Sequence, residues 1–223
     1  NQDSSSGYDI ASGTRTVTIS LSAYKYEYTE IDVMLVIDRS GSMGEEDDSG
    51  QIKIDQAKNA AKLFVDQLNM SRDRVGLASF STEATLDCHL MNNSAQVKSK
   101  IDSLNANGYT NIGGGINRSN EEFLGYGRDN SMWVMILLSD GVANYYYDEQ
   151  GHAHYDETLA KQYALDQANI AKNLRDKGVR IYTIGLGSAQ NFDEDLLKQI
   201  ASEEFRYYNA PTAAQLNQIY LAI

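Results

Sequence analysis

One carboxylate and two hydroxyls, at alternate positions, directly follow an apolar run near the start of the chain. Residues 33–37 are all apolar, and Asp38, Ser40 and Ser42 come after them. A short continuous apolar run is typical of a strand covered on both faces, as in a parallel sheet flanked by helices. Ligands of open α/β sheets bind beyond the carboxyl ends of the strands, and hard cations such as Mg2+ prefer oxygen ligands. The pattern therefore predicts a metal site after this strand.

A second apolar run ends in the same way. Residues 132–138 are apolar, and Ser139 and Asp140 follow, which places another carboxylate at the end of a strand. Between the two runs lies a glycine-rich loop, residues 108–115, in which Thr110 contributes a third hydroxyl. Glycines allow the backbone to approach other groups closely. No Gly-Lys-Ser or Gly-Lys-Thr follows these glycines, so a nucleotide phosphate loop is not predicted.

The three motifs together resemble the metal-ion-dependent adhesion site of von Willebrand factor A domains. The resemblance covers residues 31–222, with the motifs in the family's order. It implies an α/β fold that is doubly wound, with a mostly parallel central sheet, one antiparallel edge strand and helices on both faces. It also implies that a divalent cation is held by Asp38, Ser40, Ser42, Thr110 and Asp140. Mg2+ is the predicted cation, and Mn2+ or Ca2+ also suits these oxygen ligands.

The resemblance implies binding rather than catalysis. A Glu or Asp of a partner protein would coordinate the cation, and the surrounding loops would supply specificity. The loop after Asp140, residues 142–157, is unusually rich in tyrosine, whose large ring makes contacts at little cost in rotamer entropy. The predicted ligand-contact residues are Tyr109, Tyr145, Tyr146, Tyr147 and Tyr155.

Two other functions could use the same residues. A metal-dependent hydrolase, or phosphoryl transfer from Asp38, needs a general acid or base, and the motifs place no His beside the predicted ligands. The other alternative is an intracellular interaction subunit of a chelatase or motor-type assembly. The acidic, Tyr-rich composition favours an extracellular bacterial surface protein, such as a Gram-positive pilus-tip or cell-wall adhesin. The predicted partner is then a host or matrix protein.

Composition excludes several classes of protein. The 223 residues suit one large α/β domain, and a net charge of −12 argues against nucleic acid and favours divalent cations. The single cysteine, Cys88, excludes an internal disulfide. No apolar stretch approaches the ~20 residues that a membrane-spanning helix needs. Without an initial Met or a signal segment, the chain is predicted to be a processed piece of a longer protein.

The chain divides into three predicted parts. Residues 1–14 have linker composition and are predicted to be flexible, residues 15–30 form an extra β-strand segment that could belong to an adjoining module, and residues 31–223 form the domain. His152 and His154 could form a transition-metal pair, but a solvated loop is the favoured interpretation. Other predicted elements are strands at 74–81, 82–91, 179–185 and 205–209, and helices near 94–104, 113–124, 157–177, 193–201 and 212–223.

Overall fold

The computed structural model describes residues 29–47, 49–148, 150–187, 192–210 and 212–223. The predicted flexible segment 1–14 lies outside these residues, as does the predicted strand segment 15–30 apart from its last two residues. Within the described part of the chain, none of the helices combines the length and the apolar character needed to cross a membrane.

A six-stranded sheet lies at the centre of the described residues. The strands in chain order are β1 Ile31–Asp38, β2 Arg74–Phe80, β3 Ala84–Met91, β4 Met132–Ser139, β5 Tyr145–Tyr147, β6 Ala153–Tyr155, β7 Arg180–Leu186 and β8 Tyr207–Ala210. The order in the main sheet is β3-β2-β1-β4-β7-β8. Its neighbours pair in parallel except β3, which pairs antiparallel with β2 at the edge.

Helices cover both faces of this sheet. They are α1 Lys53–Gln67, α2 Ser94–Asp102, α3 Ile112–Tyr126, α4 Glu157–Lys172, α5 Glu194–Ile200 and α6 Ala213–Ala222. Side chains of α1, α2 and α6 join the apolar core on one face, and those of α3, α4 and α5 join the core on the other. The predicted fold class, a doubly wound and mostly parallel sheet with one antiparallel edge strand, is confirmed.

Strand β1 is apolar throughout because it supplies both cores. Val33, Leu35 and Ile37 pack on the face of α1, and Met34 and Val36 pack on the opposite face. All five side chains are fully buried. Since burying one such side chain stabilises a fold by about 1.5–3 kcal/mol, the strand is fixed from both sides. The residues just beyond its end therefore start from a rigid position.

The register of the sheet brings the two predicted acidic motifs together. Ile37 of β1 pairs with Leu138 of β4, so the residues that follow each strand end meet at the same edge. The chain leaves β1 toward β2 on one side and returns to β4 on the other side, which makes this edge a topological switch point. Crevices at such points are the usual ligand sites of open α/β sheets.

The predicted loop after β4 is wrong in one respect, because part of it forms a β-hairpin. Strands β5 and β6 pair antiparallel, with Tyr145 opposite Tyr155 and Tyr147 opposite Ala153. The turn is closed by Asp148, whose backbone N–H donates to the carbonyl of His152 at 3.0 Å. Each strand has only three residues, too few for an alternating pattern to be recognised in the sequence.

At the amino end of β1, a buried carboxylate is fully compensated by arginines. Asp32 accepts hydrogen bonds from Arg74 Nη2 at 2.6 Å, Arg128 Nη2 at 2.7 Å and Ser131 Oγ at 2.9 Å. Burial alone would raise the pKa of Asp32, but these hydrogen bonds outweigh burial and lower the pKa to about 2. The network ties the starts of β1, β2 and β4 together.

Asp32→Asn should destabilise the fold by about 3 kcal/mol, because it removes the buried carboxylate that Arg74 and Arg128 share, and Arg74 then has no carboxylate contact in the described network. The folded pKa of Asp32 lies below its unfolded value, so its stabilisation is present above pH 4 and is lost as the pH falls toward 2. Urea unfolding at pH 6, 4 and 3 measures both effects. The exposed pair of Lys62 and Asp102 supplies the control, and Asp102→Asn should cost less than about 1 kcal/mol. Equal losses in the two variants would contradict this account.

Candidate metal centre

Asp38, the last residue of β1, is the most enclosed residue of the site, and its side chain is fully buried. Its Oδ1 accepts a hydrogen bond from the backbone N–H of Ser40 at 2.7 Å. Its Oδ2 accepts one from Ser139 Oγ, the end of β4, at 2.5 Å. Both donors are uncharged, so the carboxylate is oriented without being neutralised.

The two serines of the first motif connect Asp38 to the second acid. Ser40 Oγ and Ser42 Oγ lie 3.1 Å apart, and Ser42 Oγ donates to Asp140 Oδ1 at 2.8 Å. Residues 41–44 form a short 3₁₀ turn that turns these hydroxyls toward the end of β4. The structure thus brings together the residues of the first and third predicted motifs.

Thr110 reaches the same point from the glycine-rich loop. A Cβ atom placed on Gly141 would lie 3.4 Å from Thr110 Oγ1 and 3.7 Å from Ser42 Oγ, so both hydroxyls lie against this glycine. The backbone N–H of Thr110 donates to Asn144 Oδ1 at 3.0 Å, and the N–H of Asn144 donates to the carbonyl of Thr110 at 3.1 Å. Asn144 therefore positions Thr110, a role that the sequence pattern did not indicate.

Arg39 and the backbone beside it hold the first motif against the loop that carries Thr110. Arg39 Nη1 donates to Ser81 Oγ at 2.7 Å, and the carbonyl of Arg39 accepts from the N–H of Asn107 at 2.8 Å. The N–H of Gly41 donates to the carbonyl of Gly108 at 2.9 Å. A Cβ atom on Gly41 would lie 3.4 Å from that oxygen, so the two loops are in van der Waals contact here.

A buried lysine, which sequence reasoning did not include, also contacts the site. Lys53 is the first residue of α1 and is 5% exposed. Its Nζ donates to Asp140 Oδ2 at 2.8 Å and to the carbonyl of Ser42 at 3.3 Å. No local pattern marks this contact, because Lys53 follows an acidic segment and is typical of an ordinary solvated helix start.

The electrostatics of the centre suit a hard divalent cation. Burial, and then the nearby Asp140 carboxylate, raise the pKa of Asp38 to about 7. Among the described residues, Lys53 is the only cation in contact with the two buried carboxylates, so an excess of negative charge remains. Within the described residues, no group of three or more His, Cys, Asp and Glu side chains is arranged for a metal. The ligands here would be hydroxyls and two carboxylates, all oxygen, which fits Mg2+ or Mn2+.

An exposed cluster of tyrosines lies beside Thr110. The ring of Tyr109 stacks on Tyr145, with centroids 5.3 Å apart, and meets Tyr155 edge-on at 5.2 Å. Tyr147 packs edge-on against Tyr145 at 5.7 Å. Tyr109 is 50% exposed and Tyr155 is 64% exposed, so their faces are accessible from solvent. We refer to Tyr109, Tyr145 and Tyr155 as the tyrosine cluster.

One predicted contact residue, Tyr146, lies outside the tyrosine cluster. Its ring stacks on His154 at 5.1 Å and packs near Tyr163 of α4 at 6.2 Å, against the apolar core.

The two predicted histidines converge on one carboxylate. His154 Nε2 lies 2.9 Å from Asp148 Oδ2, and His152 Nδ1 lies 3.3 Å from the same oxygen. These contacts stiffen the hairpin that carries Tyr145 and Tyr155.

In the presence of chelator, Asp38→Asn should stabilise the protein at pH 8 by on the order of 2–4 kcal/mol. The amide oxygen can still accept from the N–H of Ser40, and the amide nitrogen can donate to Ser139 Oγ once that hydroxyl turns, without the charge of Asp38. Because the folded pKa of Asp38 is raised to about 7, the stability of the wild-type protein falls as the pH rises from 4 to 7, whereas the variant lacks this loss. The gain should therefore shrink at pH 5. Thermal and urea unfolding at both pH values measure it.

Asp140→Asn is the matched control, since it removes the other carboxylate of the centre. It should destabilise the protein, because the buried ammonium of Lys53 loses its partner. Equal stability of Asp38→Asn and the wild type at pH 8 would mean that Asp38 carries no unbalanced charge.

Solved structures with this fold include a pili tip protein and a thread matrix protein. The vWF domain of the type V pili tip protein Mfa5 from Porphyromonas gingivalis aligns with a TM-score of 0.70 at 18% identity, over 87% of this chain and 93% of that chain. Proximal thread matrix protein 1 from the mussel byssus, with a zinc-occupied MIDAS motif, aligns with a TM-score of 0.66 at 24% identity, over 87% of this chain and 44% of that chain. These similarities establish a shared fold.

The sequence comparisons extend from fold to family. A UPF0353 protein from Mycolicibacterium paratuberculosis is 35% identical over 162 residues, which are 70% of this chain and 44% of that protein. The chain thus spans less than half the length of this relative. The model of the von Willebrand factor type A domain matches residues 32–222, nearly the whole described chain. The chain therefore belongs to the von Willebrand factor type A domain family, as the three motifs predicted.

Proposed function

We propose that this domain binds a partner protein through a divalent cation held by Asp38, Ser40, Ser42, Thr110 and Asp140. The observation that carries the proposal is the convergence of two buried carboxylates and three hydroxyls at the carboxyl edge of the sheet. Mg2+ is the proposed ion, with Mn2+ or Ca2+ as substitutes. The zinc-occupied MIDAS motif of the mussel protein, on the same fold, supports a divalent cation at this place.

The donor set favours binding of an anionic partner. Hydroxyl ligands carry no formal charge, so a bound divalent cation would keep part of its positive charge and accept a further oxygen ligand. A Glu or Asp side chain of the partner supplies such an oxygen together with a compensating charge. The tyrosine cluster beside Thr110 would then contact the residues that flank this carboxylate and select among partners.

The arrangement supports binding rather than catalysis. Both oxygens of Asp38 accept hydrogen bonds from Ser40 and Ser139, and both oxygens of Asp140 accept them from Ser42 and Lys53. These contacts hold both carboxylates in place as ligands. The three histidines contact carboxylates outside the centre, His89 at Glu122 and both His152 and His154 at Asp148, so none is placed there as a general acid or base. We propose an extracellular location on a bacterial surface, in line with the pilus-tip protein that shares the fold.

Isothermal titration of the chelator-treated protein with Mg2+ or Mn2+ should detect one site, and Asp38→Ala should abolish it. The reason is that Asp38 supplies one of the two proposed carboxylate ligands, whose oxygens are held in place by Ser40 and Ser139. Asp148→Ala, at the hairpin turn, is the matched control and should leave metal affinity unchanged. An isotherm for Asp38→Ala that matches the wild type would place the cation elsewhere.

Random peptides displayed on phage, selected on the Mg2+-loaded domain and eluted with EDTA, should be enriched in Asp or Glu. The carboxylate is expected to bind the cation, so peptides recovered in the presence of EDTA should lack this enrichment. Replacing Tyr109 and Tyr155 with Ser should weaken binding of selected peptides roughly tenfold while metal affinity stays the same. Tyr146→Ser is a control on the other face of the hairpin. Peptide binding that persists in EDTA would move the binding surface away from the metal centre.

A further inference from the structure

The ammonium of Lys53 is a permanent part of the metal centre. Its Nζ lies 2.8 Å from Asp140 Oδ2, and the two side chains are 6% and 0% exposed. Glu45 Oε2 is also 3.9 Å from this nitrogen, but that side chain is 73% exposed, so water screens its charge. Burying an ammonium is costly unless it is paired and hydrogen-bonded. Lys53 therefore remains paired with Asp140, in contrast to a flexible surface lysine.

The two carboxylates of the centre are compensated unequally. Asp140 faces an ammonium, and its other oxygen accepts from Ser42 Oγ at 2.8 Å. Asp38 accepts hydrogen bonds only from uncharged groups, the N–H of Ser40 and the hydroxyl of Ser139. With both carboxylates ionised, the centre without metal carries one negative charge in excess, and that charge is on Asp38.

We propose that Lys53 is a built-in cation that sets the charge of the loaded centre, so that the site accepts one carboxylate. This inference rests on the proposed metal-dependent function. A divalent cation added to one excess negative charge leaves one positive charge, which a single Glu or Asp of a partner neutralises. Lys53 thereby determines the chemical class of the partner's contact, a single monoanionic group, although it does not touch the partner itself.

Removal of the ammonium should affect the two binding steps in opposite directions. Without Lys53, two uncompensated carboxylates would attract the cation more strongly. The loaded centre would then be neutral and would attract a carboxylate less strongly. A lysine that only holds Asp140 in place would behave differently, because its loss would loosen a ligand and weaken cation binding.

The test uses the whole chain, Mn2+ as the metal and acetate as the carboxylate probe. Lys53→Gln keeps a hydrogen-bond donor near Asp140 without the charge, and Lys53→Met keeps the length and apolar stem. Mn2+ affinity is measured by calorimetry and by electron paramagnetic resonance of free Mn2+. Acetate binding is followed through the water-proton relaxation rate, because acetate that displaces water from the bound Mn2+ lowers the enhancement of this rate. Lys53→Arg is the charge-retaining control.

Both neutral variants should bind Mn2+ roughly tenfold more tightly than the wild type and acetate several-fold more weakly, whereas Lys53→Arg should resemble the wild type. If one neutral variant fails to fold, the other decides. Mn2+ binding that is unchanged or weaker in the neutral variants would overturn the role of Lys53 and leave the metal site intact. A wild-type chain that binds no Mn2+ would overturn the metal site itself and this inference with it.

Discussion

The parallel pairing of β1 with β4 is the constraint on which the candidate site depends. Because Ile37 is in register with Leu138, Asp38 lies beside Ser139, and Asp140 follows one residue later. Both strands are buried on both faces, so their carboxyl ends cannot move apart and separate the two acids. The fold therefore holds two buried carboxylates close together. The hydroxyl groups orient these carboxylates, and Lys53 and the proposed cation compensate their charge.

The two ends of β1 show how a buried carboxylate can serve either the fold or a site. Asp32 and Asp38 are both fully buried on the same strand. Arg74 and Arg128 hold the pKa of Asp32 near 2, whereas the pKa of Asp38 is raised to about 7 because it is buried beside Asp140 and its own partners are neutral. Asp32 is structural, and its charge is fully compensated by arginines. Asp38 is destabilising as it stands, a condition typical of functional sites, where stability is given up for binding.

The sequence predicts what depends on local pattern and fails where contacts are distant. Apolar runs and turn residues indicate the buried strands, the alternation of strands and helices, and the acids at the strand ends. The sheet and the meeting of the motifs at one edge are therefore predictable from the sequence. The contacts of Asn144 with Thr110 and of Lys53 with Asp140 join residues 34 and 87 positions apart, and no local signal marks either residue. The hairpin with Tyr145 is likewise unmarked in the sequence, since its strands are too short to show a period.

An acidic domain can recognise an acidic group only if the local charge differs from the overall charge. The chain carries −12 at pH 7, but at physiological ionic strength charges farther than about 8 Å are largely screened. A carboxylate that reaches the edge of the sheet therefore responds mainly to Asp38, Asp140, Lys53 and the proposed cation. Screening also means that the surface charge of the domain, including the acidic segment near Glu45, affects the rate of approach more than the strength of the final contact. In the proposed function, specificity is therefore determined over a short range, by the charge balance of the metal centre and by the exposed faces of Tyr109 and Tyr155.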